Sequence, residues 1–392
     1  MITNLRTAFF TWLFVGLSLL MQSCVYDDIA DEDVNGPADG EKAVLLLRVV
    51  AVGQSRAGDD IELMHSLRII ILDDKGKVER VRTADISSGV NSYKFPLAIP
   101  VTPGAKRIFL IANEESVNYE TAEGAEPLTA YLNSISEGQG GISDALSEMV
   151  FTPDYTKNIP MTSSYDVELT PGNNEETFYV VRVATKFDVT IKNNRSDAVT
   201  LNALSVNSVA DKSFLYPKFT REGIITVKDG KKGFVFDNDT PLHWVDWLSL
   251  ACEESQTKPN PPTADERGWI MEYSIPTGAI HTPEQWSATG QEIAPNGALT
   301  LPSHYCPESC LLPNPAIDPF HEDALGIEQQ YKVALTLTSG DKTRNFEADL
   351  PNLRALFRNT HVKITITINE KGILWRIFVN PWNTITHPQI II

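Results

Sequence analysis

The stretch Val362-Lys-Ile-Thr-Ile-Thr-Ile368, then Asn369-Glu-Lys-Gly372, then Ile373-Leu-Trp-Arg-Ile-Phe-Val379, reads as two strands around a turn. From Val362 to Ile368 the apolar β-branched residues fall at every second position, with Lys or Thr between them. A period of two puts one set of side chains on a core and the other in water. Asn-Glu-Lys-Gly is turn chemistry, so the two runs are predicted to form a hairpin.

Similar short runs occur throughout. Leu67-Arg-Ile-Ile-Ile-Leu72 ends at a second turn signal, Asp73-Asp-Lys-Gly76. Further strands are expected at Arg107–Ala112, Lys186–Ile191 and Val333–Thr338. A β segment is expected to restart at Phe178 after the turn-like Pro171-Gly-Asn-Asn-Glu-Glu176. Helical signals are few, the best being Leu128–Ile135 and Asn352–Phe357. Many strands, few helices and 24 prolines argue for an all-β protein built from antiparallel sandwiches rather than an α/β enzyme.

At 392 residues the chain is long enough for two domains. The division is expected near residue 180, giving sandwiches at 43–180 and 181–392. The second carries an irregular stretch, 244–319, rich in Pro, Trp and Cys. No repeat is evident at a period of twenty to fifty residues.

The 33 Lys and Arg face 51 Asp and Glu, a net charge of −18. No basic track interleaved with aromatics is present, which argues against nucleic acid as a partner. No Gly-x-Ser-x-Gly elbow, His-Glu-x-x-His or phosphate loop occurs, so no catalytic residue, metal or cofactor is assigned.

The N-terminus carries processing signals. Arg6 precedes an apolar run, Ala8–Leu20, that ends at Met21-Gln22-Ser23-Cys24. The run is too short to span a bilayer and reads as a secretory signal peptide over 1–23. A cysteine after a small residue suggests a bacterial lipoprotein acylated on Cys24, with ordinary secretion as the alternative. Residues 24–42 hold the acidic run Asp27–Asp33 and read as a solvated linker. An oxidising compartment would permit one disulfide among Cys252, Cys306 and Cys310, with the pairing open.

Next comes Ala43-Val-Leu-Leu-Leu-Arg-Val-Val-Ala-Val52, apolar on both alternating faces except at Arg48. This is expected to be a strand buried inside a sandwich. It is closed by the small polar segment Gly53-Gln-Ser-Arg56-Ala57-Gly58, the kind of loop proteases reach.

Several segments, in order, resemble the fimbrillins, subunits of type V pili on Gram-negative bacteria. They are the Cys24 signal, the strand ending in Ser55-Arg56-Ala57, and Leu67–Leu72 with its Asp-Asp-Lys-Gly turn. Lys106-Arg-Ile-Phe-Leu-Ile-Ala-Asn113, Ile159-Pro-Met161 and Arg182-Val-Ala-Thr-Lys186 follow. Phe357-Arg-Asn-Thr-His-Val362 and Val379-Asn-Pro-Trp-Asn383 complete the set. His361-Val362 departs from the aromatic common after the Arg-Asn-Thr motif.

The resemblance implies two transthyretin-like sandwich domains and a cell-surface fimbria assembled by strand exchange. It implies export as a lipoprotein to the outer membrane and cutting by an arginine-specific protease between Arg56 and Ala57. The strand so removed would carry Val44, Leu45, Leu46, Leu47, Val49 and Val50. Losing about five inward side chains would cost on the order of 8–15 kcal/mol, so an opened subunit would be driven to refill the groove. The candidate donor is the tail with Ile385, Ile390, Ile391 and Ile392, where Pro388 restricts pairing. The alternative is that the tail completes its own sheet. Another reading is a lipid-anchored glycan binder or adhesive tip protein, with Trp244, Trp247, Trp269 and Trp286 stacking on sugars.

Overall fold

Among the described residues, fourteen main strands and two short helices carry the architecture. The computed structural model describes residues 42–53, 60–219, 226–228, 230–233, 273–274, 276, 281–286, 290–310, 331–349, 355–356 and 358–382. In chain order the main strands are β1 (Ala43–Ala51), β2 (Met64–Leu72), β3 (Val78–Val90), β4 (Ser92–Lys94), β5 (Ile99–Val101) and β6 (Gly104–Ala112). Helices α1 (Leu128–Ser134) and α2 (Ile142–Ser147) follow. Then come β7 (Met161–Leu169), β8 (Gly172–Arg182), β9 (Thr185–Asn193) and β10 (Val199–Ala210). The last four are β11 (Lys332–Ser339), β12 (Lys342–Asp349), β13 (Thr360–Asn369) and β14 (Gly372–Pro381).

Both predicted hairpins form. Strands β2 and β3 pair around the Asp73 turn, where the Asp73 carboxylate accepts from the main-chain N–H groups of Lys75 and Lys77 at 2.9 and 2.8 Å. Gly76 takes φ 72°, a conformation a residue with a side chain resists. Strands β13 and β14 pair from Thr360 opposite Pro381 to Asn369 opposite Gly372. Along β13, Val362, Ile364, Ile366 and Ile368 are buried and the residues between them half-buried, as the alternation requires.

In the N-terminal half, β2, β6 and β7 run antiparallel, and β1 lies between β8 on one side and β4 and β5 on the other. One core gathers Leu45, Leu47 and Val49 of β1 with Ile69 and Ile71 of β2, Ile108 and Leu110 of β6, and Phe178 and Val180 of β8. A second core covers the other face of β2 and β6. There Ile70, Leu72, Phe109 and Ile111 meet Leu128 and Leu132 of α1, and Ile142 and Leu146 of α2. The runs Ile69–Leu72 and Ile108–Ala112 are apolar throughout because both their faces are covered. In the C-terminal half a third core joins Phe187, Val189 and Ile191 of β9 to Leu201 and Leu204 of β10, Val333 and Leu335 of β11, and Val362 and Ile364 of β13.

Several expectations need correction. Strand β1 is covered on one face only. Ala43, Leu45, Leu47, Val49 and Ala51 are buried, Val44, Leu46 and Val50 half-buried, and Arg48 exposed. The sheets are not wholly antiparallel, since β1 runs parallel to β8 and β9 parallel to β13. The polar stretch Gly172–Glu176 is strand rather than turn, and its residues lie on the exposed or half-buried part of β8 opposite Ala43–Leu47. Helix α1 forms where expected, but Ala355–Leu356 is extended and pairs with Ser309–Cys310. The described part of the stretch read as irregular contributes short strands. His281–Gln285 and Gln291–Ile293 pair with β10, while Ala298–Thr300 and His304–Cys306 pair with β9.

Candidate functional site

The slot filled by β1 is the first part of the site. Nine residues of β1 pair in parallel with β8, from Ala43 opposite Gly172 to Ala51 opposite Val180. On the other edge, Arg48–Val50 pair with Lys94–Ser92, and Ala43–Leu45 with Val101–Ile99. Additional bonds close the ends, Gly172 N–H to Lys42 O at 2.9 Å and Val52 N–H to Val180 O at 2.9 Å, and Phe95 N–H to Leu47 O at 2.9 Å ties the middle. Taking β1 away would therefore bare hydrogen-bonding groups on both flanking edges and empty five side-chain positions. Two of those positions are alanines, which lowers the expected cost. Leu45, Leu47 and Val49 at about 1.5–3 kcal/mol each, with two methyl groups, total on the order of 6–11 kcal/mol.

Beyond the end of β1 the chain enters a buried polar cluster. Arg182, at the end of β8, is fully buried. Its guanidinium donates to Val52 O at 2.7 Å, Gly53 O at 3.4 Å, Glu62 O at 3.0 Å and Asn91 Oδ1 at 3.3 Å, and lies 5.2 Å from the centre of the Trp382 ring. Burial lowers its pKa to about 10, with Glu62 and Tyr305 opposing. Glu62 is 1 % exposed and accepts from Lys186 Nζ at 2.6 Å, Tyr305 OH at 2.8 Å and Trp382 Nε1 at 3.0 Å. Burial would raise its pKa, but the Lys186 ammonium and its other partners outweigh that and hold it below the usual carboxylate range.

This cluster collects motifs that lie far apart in sequence. Asn113 takes φ 59° and donates to Leu63 O and Ile159 O, tying Lys106–Asn113 to Ile159-Pro-Met161. Asn359, at φ 58°, bonds Ala184 O through its N–H and Trp382 N through its carbonyl. Ile159, Ala184 and Trp382 form a small apolar group of their own. Nearby, Arg358 and Glu308 form a buried ion pair, and Arg358 also donates to Phe214 O at 2.7 Å and Leu215 O at 3.1 Å. Burial raises the Glu308 pKa against the pull of Arg358. His361 bonds Asp188 at 2.7 Å.

The sequence-predicted residues fall unevenly. Val44–Val50 are in β1. Cys24, Arg56, Ala57, Ile385, Ile390–Ile392, Trp244, Trp247 and Trp269 lie outside the described residues, as does Cys252. Trp286 is not available to a sugar. It is 3 % exposed, with its ring packed edge-on to Phe187 and 4.6 Å from His304. Among the described residues, Cys306 is a buried free thiol. Glu62, Tyr305 and the role of Arg182 were missed. The available signal was two cations, Arg182 and Lys186, in an otherwise apolar run at a strand junction.

Among the described residues the fold is all-β, with two short helices. Residues 51–202 match the family model described as Major fimbrial subunit protein (FimA). The whole fold is similar to a "putative cell adhesion protein" from Parabacteroides distasonis (TM-score 0.50, 14 % identity, covering 90 % of this chain and all of that one). Other similar structures are the tip fimbrial protein Mfa3 of Porphyromonas gingivalis (TM-score 0.48, 14 % identity, 87 % and 100 % covered) and a fimbrilin of the same species (0.46, 13 %, 88 % and 98 %). No curated protein matches the sequence.

Proposed function

We propose that this chain is a structural subunit of a cell-surface fimbria that contributes to adhesion. It is exported as a lipoprotein precursor acylated on Cys24 and carried to the outer membrane. There an arginine-specific protease cuts after Arg56, β1 leaves, and a strand of another subunit takes its place. The tail with Ile385 and Ile390–Ile392 is the candidate donor. The two halves act as transthyretin-like sandwiches, meeting between Val180, the last member of the first core, and Phe187, the first of the third.

One observation carries this reading. Strand β1 is bonded along both edges and buries five side chains, yet the chain leaves it at Gly53 directly into the segment holding Arg56. A strand with so large a share of the stability, next to a small polar arginine segment, is suited to removal and replacement. N-terminal sequencing of the protein recovered from the cell surface tests it. A start at Ala57 is expected; an acylated Cys24 as the sole N-terminus would overturn strand exchange for this chain.

A further inference from the structure

Within the β1 slot, one end is built differently from the rest. Along most of its length the strand is held by main-chain ladders, which are periodic and do not by themselves distinguish one register from the next. At the Val52 end the ladder stops, and a buried side chain takes over. Gly53 takes φ 75°, which turns the chain so that the Val52 and Gly53 carbonyls both reach the Arg182 guanidinium. The guanidinium is itself held by Glu62 O, Asn91 and the Trp382 face. It therefore presents donors at a fixed depth from the last ladder bond, Val52 N–H to Val180 O.

We infer that Arg182 is the register stop of the slot, a positioning residue that recognises two consecutive main-chain carbonyls at the C-terminal end of the strand entering from another subunit. The inference rests on the strand-exchange reading above. A slip of one residue would turn every inward side chain outward, and a slip of two would move the alanine positions onto pockets shaped for Leu and Val. Either slip also withdraws the carbonyls from a buried cation that water does not reach. The strand seated in the slot, β1, runs parallel to β8, is small, large, large, β-branched and small at alternate positions, and then turns at Gly53.

The test uses the full chain nicked after Arg56, with its first strand still seated, and a synthetic peptide of residues 41–53 as the exchanging strand. Two peptides are compared, one natural and one with a thioamide, a poor acceptor, in place of the Val52 carbonyl. Each carries a photo-crosslinker at Leu46, which lies opposite Glu175. The thioamide peptide is expected to dissociate about tenfold faster or more, as loss of a bond to a buried cation implies. Its crosslinks are expected to spread two residues to either side of Glu175. In Arg182→Lys the difference between the peptides shrinks. Equal dissociation and a single shared register would overturn the assignment while leaving strand exchange intact. Failure of both peptides to displace the seated strand would overturn strand exchange and the assignment with it.

Discussion

Replacing Glu62 by glutamine removes one charge from the buried cluster and keeps the shape. The carboxylate of Glu62 accepts three side-chain bonds, from Lys186, Tyr305 and Trp382. An amide supplies a single acceptor oxygen and turns an N–H₂ toward at least one of those donors. The larger loss is electrostatic, because the Lys186 side chain is 6 % exposed and would lose the carboxylate that lies 2.6 Å from its ammonium. Removing one partner of such a pair costs about 3–5 kcal/mol. At roughly 2 °C per kcal/mol for a fold of this size, the melting temperature should fall on the order of 6–10 °C at neutral pH. The pH dependence gives an independent check. The folded pKa of Glu62 is depressed, so its contribution is fully present above the ordinary carboxylate range and is lost as pH falls through the folded value. The melting curves of the wild type and of Glu62→Gln should therefore converge on acidification, measured by circular dichroism at pH 7 and then stepwise below about pH 4.5. A drop smaller than about 2 °C at neutral pH, or a gap that stays constant into acid, would refute the ion-pair account.

Leu45→Ala should destabilise by about 2–5 kcal/mol and Leu46→Ala by well under half as much, since Leu45 faces the core and Leu46 is half-buried; urea denaturation distinguishes them. Arg358→Met strands the Glu308 carboxyl in a dry site, costing about 3–5 kcal/mol at neutral pH, with part of the loss recovered in acid as that carboxyl takes up a proton; thermal melts at two pH values measure both. Cys306 should resist alkylation in the native protein and react only on unfolding, because burial pushes its thiol pKa well above the ordinary value; peptide mass spectrometry after iodoacetamide treatment reads this out.

The hairpins, the β class and α1 were legible because each is encoded locally, in alternation and turn residues. What was misread shows where local pattern stops. Two runs look equally apolar, Ala43–Val52 and Ile69–Leu72, yet only the second is covered on both faces, because α1 and α2 pack on its far side and nothing local announces them. Gly172–Glu176 looks like loop because its side chains face water, while its main chain is recruited by β1. The motifs at Asn113, Ile159, Arg182, Asn359 and Trp382 stood out as separate fragments. Their common location was invisible, since Arg182 meets Val52 across 130 residues and Glu62 meets Trp382 across 320.

The parallel pairing of β1 with β8 also sets an order of assembly. Strand β1 emerges first, but its long partner edge is not made until Gly172–Arg182 has followed it. Every newly made molecule therefore passes through a stage in which the rest of the sheet has begun to close around an empty position. Contacts so distant in sequence form slowly, because the intervening chain must first be drawn in. During that interval a neighbouring chain's strand competes for the same place wherever its local concentration approaches that of the chain's own strand. Crowding of nascent copies would then trap intertwined pairs, and keeping the molecules apart while they close would favour the correct fold.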